Sequence, residues 1–401
     1  MGRPESLAEA LAFLAGNFAP VVGWESVPAD ASCGRRLARG VLAPADLPRF
    51  DAAAMDGYAL RLADIGSGGL RRLSIAETVP AGHLPTRAIR DGEAARIFTG
   101  AMLPAGAERV VVQELCREMG GEVLVTPPNG AKPHIRRRAE EVRAGDIVLW
   151  PGQRVGAAQL ALLHALQVRE VAVRCRLRVA LLSVGDEVRE GFAELAPGEI
   201  ADSNRPMLRA MLEAGGCAVR DLGVLRDDPD RLLAALIDAA WESDLIVTSG
   251  GASAGATDHL QRLISRRGCL EFRNLALRPG GPVGFGDVDD CPILALPGNP
   301  MAAAVAFALL GRPLVAILSG DPAADPGRAR LPLARTFRKA AGRIEALAGR
   351  RETSSGLEVA VPLPVQGCSS LVALAGADGL ILLPEAATVV ARGDPVDFVT
   401  F

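Results

Sequence analysis

The chain lacks the residues that several common kinds of site require. Its seven cysteines are scattered without a C-x-x-C pair, so the spacing of a zinc knuckle or a redox pair is absent. An odd number of cysteines in a chain of 401 residues argues against a disulfide framework and favours a reducing compartment. The four histidines are dispersed, which disfavours a transition metal held by histidine.

Aromatic residues and net charge are also low. Aromatic side chains make up 4% of the chain and the net charge is −3, so neither base stacking nor a basic field favours nucleic acid. The N-terminal stretch, MGRPESLAEALAFLAG, has no basic region before an apolar core and does not have the form of a signal peptide. We expect a cytoplasmic protein.

One apolar stretch, MAAAVAFALLGRPLVAILSG, approaches the length of a membrane span. Arg312 and Pro313 interrupt it. We therefore interpret it as a buried helix that breaks at these two residues, and not as a span.

Three patterns follow one another along the chain, and its length suggests two to four domains. From about Val41 to Val148, short β-like runs alternate with Gly and Pro turns. From Leu177 to Ser319, apolar strands alternate with helices, which is typical of a doubly wound parallel sheet covered on both faces. After a linker rich in Pro, Gly and Asp, the runs LEVAVPLP, SSLVALAG, DGLILLPE and DPVDFVTF predict the strands of a small β-barrel.

The loop SGGASAGATDHL, from Ser249 to Leu260, follows a predicted strand of the α/β region. Ligands of open α/β sheets bind beyond the carboxyl ends of the strands. A glycine-rich loop there can turn its backbone N–H groups towards a phosphate, helped by the following helix N-terminus. The loop matches neither the P-loop nor G-x-G-x-x-G, and a plain tight turn is the alternative.

Carboxylates lie at other predicted strand ends and loops. Asp186, Glu187, Asp227 and Asp258 would face one cleft in such a sheet. Acids next to a phosphate repel it unless a hard cation lies between them, and magnesium bound by one or two carboxylates plus phosphate oxygens is the usual solution. Simpler roles remain open: Asp228, or its neighbour Asp227, caps a helix, Asp186 stabilises its own turn, and Asp258 caps a helix.

Three further stretches carry candidate residues. AMDGYA, Ala54 to Ala59, places an acid in a tight turn, which structure alone can explain. HIRRRAEE, His134 to Glu141, is either a solvated face or a set of arginine forks for phosphate or an oxyanion. PGNP, Pro297 to Pro300, is a rigid strand-to-helix turn.

In combination these motifs resemble the molybdopterin molybdotransferase family, the MoeA type, which is equivalent to the E domain of gephyrin. The matching pieces keep their order over nearly the whole chain: AMDGYALRLAD, RIFTGAMLPAGAERVVVQE, HIRRRAEEVRAGD, LLSVGDEV, ADSNRPML, LGVLRDDP, SGGASAGATD, LRPGGPVGFG and LPGNP.

The resemblance implies an elongated subunit of four parts. These are residues 1–44 with 143–174 as a helical linker domain, 45–142 as a β-rich inserted domain, 175–320 as the molybdopterin-binding α/β domain, and 328–401 as the C-terminal β-barrel. It also implies a homodimer and an upstream molybdopterin adenylyltransferase as a partner. The family inserts molybdenum from molybdate into adenylylated molybdopterin and releases AMP, with a divalent cation that is usually Mg²⁺.

The resemblance also assigns residues. Asp56 and Thr99 would face the cleft from the partner subunit, and Glu187, Asp227 and Asp258 would form the catalytic acid cluster that binds the cation. The residues assigned to the pterin substrate and its phosphate are Ser249, Gly250, Gly251, Ser253, Gly255, Arg278, Pro297, Gly298, Asn299 and Pro300.

The chain departs from the family pattern at five positions. The family usually has Lys-Pro-Gly-Lys-Pro where this chain has Arg278-Pro-Gly-Gly281-Pro, so one cation is lost. Ala302 replaces a common serine, His259 replaces a frequent tyrosine, and Glu141 replaces a shorter acid. Two alternatives follow: a divergent paralogue that transfers adenylyl groups or inserts tungstate, or a non-catalytic dimeric scaffold that binds the pterin.

Overall fold

A computed structural model describes residues 3–65, 69–126, 132–192, 194–226, 228–250, 260–321, 327–354, 356–364, 366–367 and 369–401. The chain forms two compact units. The larger unit comprises Met1–Glu25 and Arg174–Phe401, and the smaller unit comprises Ser26–Val173.

A six-stranded sheet is the centre of the larger unit. Its strands lie in the order Ala218–Leu225, Arg178–Val184, Leu245–Ser249, Cys291–Leu296, Pro282–Val288 and Gly268–Asn274. The first four are parallel, which confirms the predicted α/β fold. Pro282–Val288 runs antiparallel to both of its neighbours, Cys291–Leu296 and Gly268–Asn274, so the sheet is mixed at this edge and not parallel throughout. Pro282–Val288 is antiparallel because a tight turn follows it: Asp289 and Asp290 both have positive φ and turn the chain directly back into Cys291–Leu296.

Both faces of this sheet are covered. Within the strand Arg178–Val184, Val179 and Leu181 belong to one apolar core and Ala180 and Leu182 to another. This alternation is the sequence signature of a sheet buried on both sides. The helices of the unit's α/β part are Leu7–Asn17, Asn204–Ala214, Pro229–Glu242, residues 260–264, Pro300–Ala306 and Arg312–Leu318.

The apolar stretch after Pro300 is a continuous helix, from Pro300 to Leu318. The predicted break at Arg312 and Pro313 is wrong, because a π-helical segment, Phe307–Gly311, changes the hydrogen-bond register just before the proline. Among the described helices this one is long and apolar enough to span a membrane, but 83% of its 18-residue window is buried inside the protein. That burial supports the prediction of a core helix.

The C-terminal part of the larger unit is a β-barrel. Strands Leu357–Pro362, Ile344–Ser354, Gly379–Leu383, Pro395–Thr400 and Arg328–Pro332 pair in this order, and a bridge between Leu333 and Ala360 links the last to the first. The short strands Phe337–Arg338 and Val389–Val390 also pair. SSLVALAG, predicted as a strand, forms the helix Leu371–Ala375, because Ser370 caps it by accepting from the backbone N–H of Ala373.

The smaller unit is rich in β-structure, as predicted. Its main sheet has the order Arg109–Val112, Gly57–Leu60, Glu93–Ile97, Arg71–Val79, Glu122–Val125 and Cys116–Met119. Shorter pairs join Ala52–Ala53 with Ile135–Arg136, Val41–Leu42 with Ile147–Leu149, and Trp24–Pro28 with Glu170–Arg174. Helices are Leu62–Ile65 and Ala157–Ala165, with 3-10 turns at Ala29–Ser32 and Gln113–Leu115.

The sequence grouped residues 1–44 with 143–174, but the helix Leu7–Asn17 lies in the larger unit. The reason is its apolar face: Leu7, Ala10 and Leu14 are buried in a core of the α/β sheet. The remaining domain boundaries stay a prediction.

Candidate functional site

A cavity of about 290 Å³ opens where the parallel strands of the larger unit end. The register explains its position, since Ser183 pairs with Ser249 and Ser249 pairs with Leu296. Parallel strands end on the same edge of a sheet, so the loops that follow them meet there. The cavity is lined by Ser183, Val184, Glu187, Val188, Ile200, Ala201, Asp202, Ser203, Asn204, Ser249, Gly250, Gly298, Asn299, Pro300, Ser369 and Leu371.

Gly250 lets the loop after Leu245–Ser249 pass close to its neighbour. Its φ is +94°, and a Cβ added there would lie 2.2 Å from the carbonyl oxygen of Val184. Any other residue would be strained in its backbone and would clash with this carbonyl. The glycine therefore lets this loop pass against Val184, while its own N–H donates to the carbonyl of Leu296 at 3.2 Å.

Of the three predicted cation ligands, Glu187 is the one that lies within the described residues. It follows the strand end at Val184, and its backbone carbonyl accepts from the N–H of Ile200 at 2.9 Å. Its side chain is exposed at the cavity wall and forms no salt bridge within the described residues. This carboxylate is therefore open to an external cation.

Asp202 lines the same cavity but is already neutralised. Both its oxygens accept from Arg205, one from the backbone N–H and one from Nε at 2.9 Å, and its side chain is only 3% exposed. Arg205 also pairs with Asp221 and Glu190. Burial lowers the pKa of an arginine, but the hydrogen bonds that Arg205 donates to these three carboxylates outweigh burial and raise its pKa. Asp202 is therefore part of the scaffold, and Glu187 is the open acid.

Polar side chains at the inner wall are deeply buried. Ser183 is 3% exposed, Asn204 7% and Ser249 2%. Asn204 Nδ2 donates to Ser249 Oγ at 2.8 Å and to the carbonyl of Gly298 at 2.7 Å. Sequence reasoning missed Asn204 and Asp202, although ADSNRPML was noted, because an Asp or Asn before a helix is usually a cap.

The PGNP turn reaches the cavity as predicted from its position. Gly298, Asn299 and Pro300 line it, whereas Pro297 lies behind and accepts weakly from Ser249 Oγ at 3.5 Å. Asn299 and Pro300 start the helix Pro300–Ala306, and Ser369 Oγ donates to Asn299 Oδ1 at 3.2 Å. The barrel thus contributes to this wall of the site.

Other predicted residues do not join this cavity. Arg278 is exposed and is not among the lining residues; it lies on a two-residue strand, Leu277–Arg278, that pairs with the barrel strand Ile344–Ser354. Asp227, Gly251, Ser253, Gly255 and Asp258 lie outside the described residues. Among the described residues, no group of three or more His, Cys, Asp or Glu side chains has the geometry of a metal site.

The two predicted site residues of the smaller unit lie together. Asp56 Oδ1 accepts from both the backbone N–H and Oγ1 of Thr99, each at 2.7 Å. These hydrogen bonds, from the side chain first and then the backbone, with the charge of Arg96, lower the pKa of Asp56 despite some desolvation. The Asp-Gly turn therefore holds the carboxylate in a fixed position, and a role in the site stays a prediction.

The three arginines of HIRRRAEE are engaged with acids. Arg136 pairs with Glu140 and Glu141, Arg137 with Asp51, and Arg138 with Asp46. Their pairing favours the structural interpretation of this stretch over phosphate or oxyanion binding.

The cavity lies at the strand ends of an α/β sheet, the position where proteins of this class bind their ligands. Family models identify the class of protein. Residues 180–316 match a model described as a probable molybdopterin binding domain. Residues 5–166 match the MoeA N-terminal region (domain I and II), and residues 330–401 match the MoeA C-terminal region (domain IV).

Whole-chain relatives agree with these matches. Molybdopterin molybdenumtransferase 2 of Mycobacterium tuberculosis is 36% identical over 92% of this chain and 93% of its own length. Molybdopterin molybdenumtransferase of Haemophilus influenzae is 36% identical over 72% of each chain. Crystal structures of molybdopterin biosynthesis MoeA proteins from Pyrococcus horikoshii superpose with TM-scores of 0.82 and 0.86, at 30% and 25% identity, over 99% and 100% of both chains.

The chain belongs to the molybdopterin molybdenumtransferase family, a family of transferases in molybdenum cofactor biosynthesis. This confirms the resemblance that the sequence motifs indicated. The roles assigned to individual residues stay predictions.

Proposed function

We propose that this protein inserts molybdenum from molybdate into adenylylated molybdopterin and releases AMP. The observation that carries the proposal is the cavity at the strand ends, where a glycine loop, a helix N-terminus and the open carboxylate of Glu187 converge. Family membership supplies the reaction class, since the relatives bear the name molybdopterin molybdenumtransferase.

The phosphate end of the substrate fits the wall formed by Ser249, Gly250 and the PGNP turn. The helix that starts at Pro300 places its N-terminus at the cavity. Helix N-termini carry a partial positive charge and unpaired N–H groups, which favour a phosphate. No loop lysine is needed for this kind of recognition.

A divalent cation, Mg²⁺, fits next to this wall. Of the two acids that line the cavity, Asp202 is neutralised by Arg205, so Glu187 is the one that would hold the cation, together with Asp227 and Asp258 as predicted from sequence. A bound Mg²⁺ would offset the negative charge of the phosphoanhydride. Glu187 would keep it between the acid cluster and the phosphate oxygens.

The homodimer and its shared cleft also belong to the proposal. Asp56 and Thr99 would come from the smaller unit of the partner subunit. The fixed carboxylate of Asp56 suits that role, because a site assembled from two subunits needs groups that are already oriented. A molybdopterin adenylyltransferase would supply the substrate, and we place the reaction in the cytoplasm, where free thiols such as those of the six described cysteines persist.

The experiment that tests this function uses the pure protein, adenylylated molybdopterin, Mg²⁺ and molybdate. We expect AMP release and a cofactor that activates a molybdenum enzyme. AMP release with tungstate but not molybdate would identify the tungstate-inserting paralogue. Formation of adenylylated molybdopterin from molybdopterin and ATP would identify an adenylyltransferase, and binding without any turnover would identify the scaffold.

A further inference from the structure

The side chain of Asn204 connects two loops that come from different strands. Its amide nitrogen uses one hydrogen for Ser249 Oγ, at the end of Leu245–Ser249, and the other for the carbonyl of Gly298, beyond Cys291–Leu296. Ser249 Oγ in turn lies 3.5 Å from the carbonyl of Pro297. Asn204 itself begins a third segment, the helix Asn204–Ala214.

The two loops that Asn204 joins are close to each other at the cavity wall. A Cβ added to Gly298 would lie 3.7 Å from Gly250 Cα. Gly250 and Gly298 both line the cavity. A small change in the distance between these loops would therefore change the shape of the wall assigned to the phosphate.

Stability alone does not explain this arrangement. Asn204 Oδ1 and the neighbouring Ser183 Oγ are buried and have no hydrogen-bond partner among the described residues. A buried acceptor without a partner is destabilising, so a side chain that served only the core would be better replaced by a fully paired or apolar one. The amide is useful because both its donors are committed to the loops.

We propose that Asn204 is a positioning residue that sets the spacing between the Ser249–Gly250 loop and the Pro297–Asn299 loop, and through it the affinity for the phosphate end of the substrate. This inference rests on the proposed function for the identity of the ligand. The spacing itself does not depend on that function.

Asn204→Asp and Asn204→Ala separate positioning from simple packing. At pH 8 the carboxylate of Asn204→Asp cannot donate to Gly298 and repels its carbonyl, and Asn204→Ala has no donor. We expect KM for adenylylated molybdopterin to rise about tenfold in both, as for the loss of one or two buried hydrogen bonds, with kcat changed less. Burial raises the pKa of a carboxyl group, so in Asn204→Asp more of the carboxyl is protonated at pH 5.5 than at pH 8 and can donate one hydrogen bond. The KM ratio of Asn204→Asp to wild type should therefore fall, while that of Asn204→Ala stays constant.

Hydrogen–deuterium exchange provides the second measurement. Peptides that cover residues 245–250 and 293–299 should exchange faster in both variants than in wild type, each compared at the same pH. Asn17→Asp is the matched control, because Asn17 Nδ2 donates only to the carbonyl of Phe13 at an exposed helix end. That variant should match wild type in both assays.

Unchanged exchange in the two peptides, or a KM ratio without pH dependence in Asn204→Asp, would overturn the inference. If wild type releases no AMP, the proposed function fails, but the exchange experiment still decides whether Asn204 sets the loop spacing.

Discussion

Asp56 and Thr99 form a two-point contact in which one carboxylate oxygen accepts from the backbone N–H and from the hydroxyl of the same residue, both at 2.7 Å. A charged acceptor held by two donors from one residue stays ionised and keeps its direction. The contact joins two motifs that are 43 positions apart in the sequence.

The first prediction concerns the pKa of Asp56. Thr99→Val removes the hydroxyl donor, the largest cause of the lowered pKa, and keeps the backbone donor. The pKa of Asp56 should therefore rise towards its usual value. Because a depressed folded-state pKa adds stability above the unfolded pKa and loses it as pH falls through the folded pKa, acid unfolding of the variant should depend less on Asp56.

A ¹³C NMR titration of the Asp56 carboxyl group measures this effect, with Thr99→Ser as the control that keeps the hydroxyl. Identical pKa values in the Val and Ser variants would show that the hydroxyl has no part in holding the charge.

The second prediction concerns the buried arginine. Arg205→Met leaves the carboxylates of Asp202 and Asp221 without their cation, and breaking a buried pair in this way costs about 3–5 kcal/mol. Arg205 is 8% exposed in its side chain, whereas Arg209, which pairs with Glu213 on the same helix and lies 3.7 Å from Asp221, is 49% exposed. Arg209→Met should cost under about 1 kcal/mol. Urea unfolding of the two variants tests the contrast, and equal losses would contradict it.

The same cluster predicts a pH effect. Burial raises the pKa of Asp221, but hydrogen bonds from Arg205 and from the N–H of Gly223 outweigh burial and lower the pKa. Its contribution to stability is full above the unfolded pKa and is lost as pH falls through the lowered folded pKa. In Arg205→Met the pKa of Asp221 should rise, so the acid limb should be shallower than in wild type and the stability difference between the two proteins should shrink as pH falls. Coincident acid limbs would show that Arg205 does not set the pKa of Asp221.

The third prediction concerns Gly250. Gly250→Ala places a Cβ 2.2 Å from the carbonyl of Val184, at a φ of +94°. Gly216 has a φ of +87° and open space around its Cβ position, so Gly216→Ala carries only the backbone strain of about 1–2 kcal/mol. We expect Gly250→Ala to cost clearly more in thermal unfolding and to abolish AMP release. Equal costs in the two variants would mean that the approach to Val184 is not tight.

The fourth prediction concerns the lysine that the family pattern has at position 281, and it rests on that resemblance because Gly281, like Arg278, does not line the cavity. Gly281 has no positive φ, and a Cβ there would lie 3.3 Å from Asn274 Oδ1 and from the carbonyl of Leu275, so a side chain fits after a small shift. Gly281→Lys should lower the molybdate concentration for half-maximal insertion about tenfold or more, as for a charge-assisted hydrogen bond of roughly 1.5–3 kcal/mol. Gly281→Gln, of similar length without the charge, should not. Equal effects of Lys and Gln would exclude charge as the cause.

The sequence predicted the parts of the fold whose pattern is local. Arg178–Val184 and Leu245–Ser249 carry apolar residues at consecutive positions, Val179 to Leu182 and Leu245 to Val247, and this pattern is typical of a strand buried on both faces. Gly268–Asn274 and Pro282–Val288 were missed because they lie at one edge of the sheet, carry charges or glycines, and are adjacent to the strand they turn into. SSLVALAG was assigned to the wrong element because a short apolar run does not distinguish a strand from a helix.

The site was predictable in part. The sequence placed Glu187, Gly250 and the PGNP turn at strand ends, and the structure brings these residues to one cavity, while their roles stay predictions. Asn204 was not found, because its role depends on two loops that lie 45 and 94 positions away in the chain. No local pattern carries that information.

The most direct test of the account is AMP release by Glu187→Gln, which keeps the size of the side chain and removes the open negative charge. We predict that it lowers AMP release at least about tenfold and raises the Mg²⁺ concentration needed for half-maximal activity, with an unchanged unfolding midpoint. Glu194→Gln, at an exposed position close by in sequence, is the control and should behave as wild type. Wild-type AMP release and Mg²⁺ dependence in Glu187→Gln would contradict the account.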